Sequence, residues 1–129
     1  MIKKVKHIAF LKLKLLLLLV PPRLTNQLDP KNLSICYVML VHNHPEFAIR
    51  VVKAILSPRN HVIIHVDRKA SDVYKKIKVF AESNNNVHLI DFEQSVYVNW
   101  GGFSIVNATL IGMQYAMDKK LEFDYLGMT

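Results

Sequence analysis

Three clusters in this chain carry residue types able to do chemistry; two follow apolar runs and the third closes a polar, aromatic loop. Asp67, with Arg68 and Lys69 behind it, closes the run Val62 to Val66. A carboxylate there can accept hydrogen bonds from a ribose hydroxyl or a base N–H; it can equally cap a helix or pair with the adjacent cations. His42 and His44 stand two apart after the run Ile35 to Val41. As metal ligands they would need a third partner, and the sequence nominates none. Lining a pocket is the better reading of His42, whereas His65, inside a strand-like run, reads as a core histidine. Trp100-Gly101-Gly102 precedes a helical pattern. Paired glycines let main chain approach a ligand and bare the helix N–H groups, while an indole offers a flat face to a uracil ring. The same three residues also suit a turn beside a core tryptophan.

Several other chemistries are excluded. The segment HVDRK is not a D-x-D motif, so a divalent metal held by two carboxylates is not indicated. Neither the Walker glycine loop nor G-x-G-x-x-G occurs, and no serine sits in a nucleophile elbow.

The elements that must position these clusters alternate in type. Ile35 to Val41 is a continuous β-forming run, the pattern of a strand buried on both faces. His42 to Pro45 is a turn, with Pro45 and Glu46 suited to a helix start. Phe47, Val51 and Ile55 then repeat at helical spacing to about Leu56. Val62 to Val66 is a second strand, and Ser71 is the expected N-cap of a helix running to Glu82. Val87 to Ile90 is a third strand. A polar, aromatic loop over 91–102 leads to a helix marked by Ile105, Thr109 or Leu110, Met113 and Met117, and Phe123 to Leu126 opens a fourth strand. Strand-helix alternation at this spacing calls for an α/β fold with a parallel sheet, whose ligands bind beyond the carboxyl ends of the strands. That is where the three clusters fall.

The 129 residues suffice for one small domain, and a hydrophobic content of 51% supports a buried core. The formal charge is +7, but Lys3, Lys4, Lys6, Lys12 and Lys14 supply most of the excess. A basic stripe on the folded part is therefore missing, which argues against a nucleic-acid partner. Basic residues ahead of the apolar run Leu15 to Val20 suit a membrane-targeting signal or signal-anchor over residues 1–20, and equally an amphipathic or disordered basic tail. The run is short for a spanning helix, which needs about 20 apolar residues. Pro21-Pro22 ends it, and 21–34 reads as a short stem before a domain over 35–129. Cys36 is the single cysteine, and its apolar neighbours mark it as a buried thiol.

Three ordered segments, ICYVMLVHNHPEFAIRVVKAILSPRN, HVIIHVDRKAS and SVYVNWGGFSIVNATLIGMQYAM, together resemble the Core-2/I-branching β-N-acetylglucosaminyltransferase family, which also holds the peptide O-xylosyltransferases. The resemblance covers about residues 35–126 and implies a GT-A-like fold. It further implies transfer of GlcNAc or xylose from a UDP-sugar to a glycan or protein acceptor, with inversion to a β-linkage. No metal or other cofactor is implied. Members are typically type II Golgi membrane proteins, so a lumenal domain is expected if residues 1–20 act as a signal-anchor. The family's donor contacts carry over to Leu40, Val41 and His42, to Asp67, Arg68 and Lys69, and to Val98, Asn99 and Trp100. The W-G-G spelling leans toward the xylosyltransferases, and D-R-K-A toward the branching enzymes. The family's D-F/Y-P motif, catalytic carboxylate and diphosphate-binding cations find no match here, so the resemblance assigns no catalytic residue. The expectation is a truncated glycosyltransferase domain, inactive alone, with a nucleotide-binding or interaction module as the alternative.

Overall fold

A computed structural model describes residues 33–129; the proposed targeting segment 1–20 and the stem up to residue 32 lie outside the described residues. The order is β1 (Ile35–Val41), α1 (Pro45–Ile55), β2 (His61–Val66), α2 (Ser71–Glu82), β3 (Val87–Leu89), a single 3-10 turn (Phe92–Gln94), α3 (Phe103–Asp118) and β4 (Tyr125–Met128). The four strands form one parallel sheet in the order β3-β2-β1-β4. The chain thus builds outward from β1 through β2 to β3, then crosses back to add β4 on β1's other side. The carboxyl end of β1 becomes the point where strand order reverses, the crevice at which open α/β sheets bind ligands.

Alternation along β1 and β2 divides the core. Met39, Val41, Val62, Ile64 and Val66 point to the face covered by α1 and α2, where Ala48, Val52 and Ile77 meet them. Cys36 and Ile63 point to the opposite face, under Ala116 of α3. Both faces are covered, as a parallel sheet requires. Burial pushes the Cys36 thiol up to about 11, so it stays protonated at neutral pH. Among the described residues no helix is long and apolar enough to cross a membrane.

Local chemistry sets the boundaries, and it corrects three sequence expectations. Ala70, not Ser71, is the N-cap of α2, and no side chain caps it. The turn before α2 is closed instead by Asp67, whose carboxylate accepts from the Lys69 N–H and whose carbonyl accepts from the Ala70 N–H. The fourth strand begins two residues later than expected because Asp124 is engaged before it: its carboxylate accepts from the main-chain N–H and hydroxyl of Ser34. The inner face of α3 is Ala108, Thr109, Gly112 and Ala116, whereas Leu110 is 52% exposed. Small residues win that face because the helix lies close to β1. A Cβ on Gly112 would sit 2.6 Å from Val38 Cγ1. Lys120, with φ of 54°, ends α3 as its left-handed residue; Leu121 N–H reaches Ala116 O at 3.0 Å and Lys120 N–H reaches Met117 O at 3.1 Å.

Two outcomes follow from this packing. Gly112→Ala is expected to lose about 1–3 kcal/mol by overpacking against the buried, β-branched Val38, and Val38→Ala in the same chain should recover part of it. Thermal melts of the two single variants and the double variant measure that coupling. Separately, burial holds the imidazoles of His61, His65 and His88 below their ordinary pKa of 6.5. His61 Nδ1 and His88 Nε2 share one proton across 3.1 Å, so charging both would set two donors face to face. The unfolded chain takes up these protons more readily than the folded one. The stability they contribute is therefore complete above about pH 6.5 and is lost as pH falls below it. Urea denaturation at pH 7.5, 6.5 and 5.5 should give a falling midpoint, shallower in His88→Gln.

Candidate functional site

The site forms where β1 and β2 end and the 91–102 loop crosses them. After β1, His44 adopts a left-handed conformation with φ of 47° and ψ of 62°, and its carbonyl accepts from the N–H groups of Phe47 and Ala48. The chain therefore reverses at once into α1 behind Pro45, leaving His42, Asn43 and His44 exposed at the sheet's carboxyl edge. That conformation is uncommon for a residue with a Cβ.

At the end of β2, side chains and main chain together hold the loop. Arg68 N–H donates to Val96 O at 3.2 Å, and Val96 N–H donates to His65 Nε2 at 3.1 Å. Two residues on, Val98 N–H lies 3.4 Å from Asp67 Oδ1, and Lys69 Nζ donates to Val98 O at 2.7 Å. Lys69 Nζ also stands 3.5 Å from Asp67 Oδ2. Arg68 adds a hydrogen bond from Nη1 to Glu93 O at 3.2 Å and lies over the Tyr97 ring. The segment 96–98 is thus bound along the β2 terminus as an extra strand would be, with His65 and Asp67 standing in for carbonyls.

The loop then turns on Asn99. Asn99 N–H donates to Ser104 Oγ at 2.7 Å, and Gly102 N–H donates to Asn99 O at 2.9 Å. Gly101 takes φ of 84°, a conformation that glycine adopts without strain. Trp100 is carried back over β1, its indole meeting the His42 ring edge-on at 4.8 Å between centroids.

The nine residues named from the sequence converge at this edge, but not in one role. His42, Asn99 and Trp100 are exposed and form the accessible surface. Leu40 is half-buried in β1, and Val41 and Val98 are buried supports. Asp67 is 3% exposed with its oxygens committed to the Lys69 and Val98 N–H groups and the Lys69 ammonium, so in this ligand-free arrangement it builds the loop. Arg68, half-buried, and Lys69, exposed, stand at the rim. Sequence reasoning overlooked Ser104, which fixes the Asn99 turn, and assigned His65 to the core. The available signal was the period-two spacing of His65, Asp67 and Lys69 at a strand end. Among the described residues no three His, Cys, Asp or Glu side chains cluster as metal ligands would.

The arrangement sets an exposed indole and imidazole over the reversal point of a parallel sheet, with cations at the rim. The sequence profile of the Core-2/I-Branching enzymes matches residues 35–127, from the first residue of β1 into β4. The chain belongs to the Core-2/I-Branching enzyme family. Two curated relatives within reach of this Core-2/I-Branching chain are transferases by name. One is the beta-1,3-galactosyl-O-glycosyl-glycoprotein beta-1,6-N-acetylglucosaminyltransferase 3 of Rattus norvegicus, 29% identical over 76% of this chain and 22% of the relative. Another is a Homo sapiens protein named "Probable beta-1,3-galactosyl-O-glycosyl-glycoprotein beta-1,6-N-acetylglucosaminyltransferase 7", 26% identical over 72% of this chain and 21% of the relative. The chain thus spans about a fifth of the length of the curated relatives it matches.

Asp67→Ala removes the acceptor for two N–H groups and the counter-charge of Lys69 at once. The expected loss is about 2 kcal/mol, with Asp67→Asn costing less because one acceptor oxygen remains. Denaturant melts of both variants check the order.

Proposed function

We propose that this chain supplies the nucleotide-binding portion of an inverting glycosyltransferase that takes N-acetylglucosamine from UDP-GlcNAc and passes it to a glycoprotein glycan. The observation that carries the reading is positional: the family match spans the sheet, and its segments converge on the carboxyl edge holding His42, Asn99 and Trp100. The relatives' names favour GlcNAc over xylose as the donor sugar.

In this reading the Trp100 indole stacks on uracil, while Asn99 and His42 offer hydrogen-bonding groups at its edge. Arg68 and Lys69 set positive charge on the side from which the diphosphate approaches. In the transfer itself the acceptor hydroxyl attacks the anomeric carbon opposite UDP and loses its proton to a base, while UDP departs with the bonding electron pair. Asp67 is the one carboxylate among the nine site residues, and it is buried and committed, so we assign it no part as that base. The base and the main diphosphate-binding cations are placed in polypeptide that the longer relatives possess outside the matched fifth. Donor binding is proposed to need no divalent metal. We further place the protein at the Golgi membrane with a lumenal domain, residues 1–20 acting as signal-anchor; their lysines and following apolar run support this.

Titration calorimetry of UDP tests the reading. The chain is expected to bind UDP equally in EDTA and in manganese, and Trp100→Ala should weaken binding about tenfold, the worth of one base–aromatic stack. Absence of UDP binding by the unaltered chain, an unaffected Trp100→Ala variant, or binding that chelation abolishes and manganese restores would contradict it.

A further inference from the structure

We propose that His65 is a positioning residue of this site: its neutral imidazole anchors the 95–100 loop through Val96, and so holds Trp100 over His42. The inference rests on the donor-binding reading for its functional consequence, not for its geometry.

His65 is fully buried in β2, yet it is polar. Its Nε2 lies 3.1 Å from the Val96 nitrogen, and a main-chain N–H can only donate. Nε2 must therefore present a lone pair, which places the proton on Nδ1. Nδ1 is buried and has no hydrogen-bond partner. A side chain serving the core alone would avoid that cost, since an aliphatic residue fills such a position without leaving a donor unmet. What only the imidazole contributes is the acceptor for Val96. That bond matters because Val96 is gripped from both sides, its N–H by His65 and its carbonyl by Arg68 N–H at 3.2 Å. Releasing one side frees the strand-like run whose far end carries Asn99 and Trp100.

The arrangement also makes the grip conditional on charge. A protonated His65 would turn an Nε2–H donor against the Val96 N–H donor, and the bond would be replaced by repulsion. Burial opposes that protonation, while the residue's own main chain and the nearby Asp67 carboxylate favour it. The packed elements add little else: α3 carries no ionisable side chain from Phe103 through Gln114, β1 brings Cys36 and Tyr37, β3 brings His88, and the loop brings Asp91 and Glu93 with Arg68 at its surface.

Trp100 is the chain's single tryptophan, so its fluorescence reports the loop without any ligand. In the 129-residue chain, Trp100 emission is expected to shift as pH falls below 6.5 while far-UV circular dichroism still reports a folded protein. His65→Gln keeps an acceptor oxygen for Val96 and does not titrate; it should lose the shift and hold UDP affinity within about twofold. His65→Leu should show the shifted emission already at neutral pH and bind UDP about tenfold more weakly. His42→Gln, which removes the other imidazole at Trp100, should keep the pH response. A His65→Gln variant that retains the shift, a His42→Gln variant that lacks it, an unaltered chain without it, or a His65→Leu variant with wild-type emission would each overturn the proposal. If the unaltered chain binds no UDP, the donor reading falls, while the emission experiments still judge the positioning role.

Discussion

The Asp67 carboxylate is the interaction on which the rest of the site depends. It is buried at the end of β2, where an isolated charge would be costly. The cost is offset because Oδ1 takes the N–H groups of Lys69 and Val98 and Oδ2 faces the Lys69 ammonium. These contacts tie together three things that are separate in sequence: the turn into α2, the carboxyl end of the central sheet, and the loop that carries Trp100. A buried polar group so fully engaged specifies one arrangement, since any shift in the loop leaves an acceptor or a donor unmet. The surface presented to solvent, an imidazole, an amide and an indole, is mounted on that bonded base.

The sheet order explains why that base lies where it does. With β1 between β2 and β4, its carboxyl end lies where strand order reverses, and the loop that follows β3 crosses back to it and sets Trp100 against His42. His44 completes the opening by turning the chain sharply into α1. On the far face, the line Ala108, Gly112 and Ala116 lets α3 lie close against β1 and β2, so the helix that begins just after Trp100 is fixed to the sheet beneath it. The loop is thus held at both ends, by β2 through His65 to Lys69 and by α3 through Ser104.

Much of this was legible in the residues. The runs Ile35 to Val41 and Val62 to Val66 announce buried strands because nothing polar interrupts them, and the clusters behind them fall at the carboxyl edge as the topology demands. What stayed hidden were choices decided by tertiary contact. Helical periodicity places Met113 and Met117 on the inner stripe of α3 as readily as Ala108 and Gly112; the close approach to Val38 decides between them. Ser71 has the side chain of an N-cap, yet Asp67 reaches the turn first. The start of β4 moved because Ser34 and Asp124 meet across the sheet's entry, a contact between residues 90 apart that no local pattern encodes. At the site, the roles of Asp67 and Trp100 could not be separated by position. Both lie at the sheet's carboxyl edge, but one is buried and bonded while the other is 61% exposed.

That contrast bears on how such a site can bind a flat ring without collapsing on itself. Tyr97 and Trp100 are 60% and 61% exposed, and apolar surface of that size would normally fold down onto the protein. Val96 and Val98 prevent it. Their main chain is fastened to His65, Arg68, Asp67 and Lys69, and Val98 is buried, so the intervening Tyr97 is directed outward by the alternation of an extended segment, and Trp100 by the turn on Asn99 that follows it. Trp100 then finds a lateral brace against His42 rather than a pocket of its own. The polar clamp at β2 therefore does work that burial cannot: it keeps an apolar face in water, already oriented, so that a stacking partner meets a surface whose ordering entropy has been settled by folding.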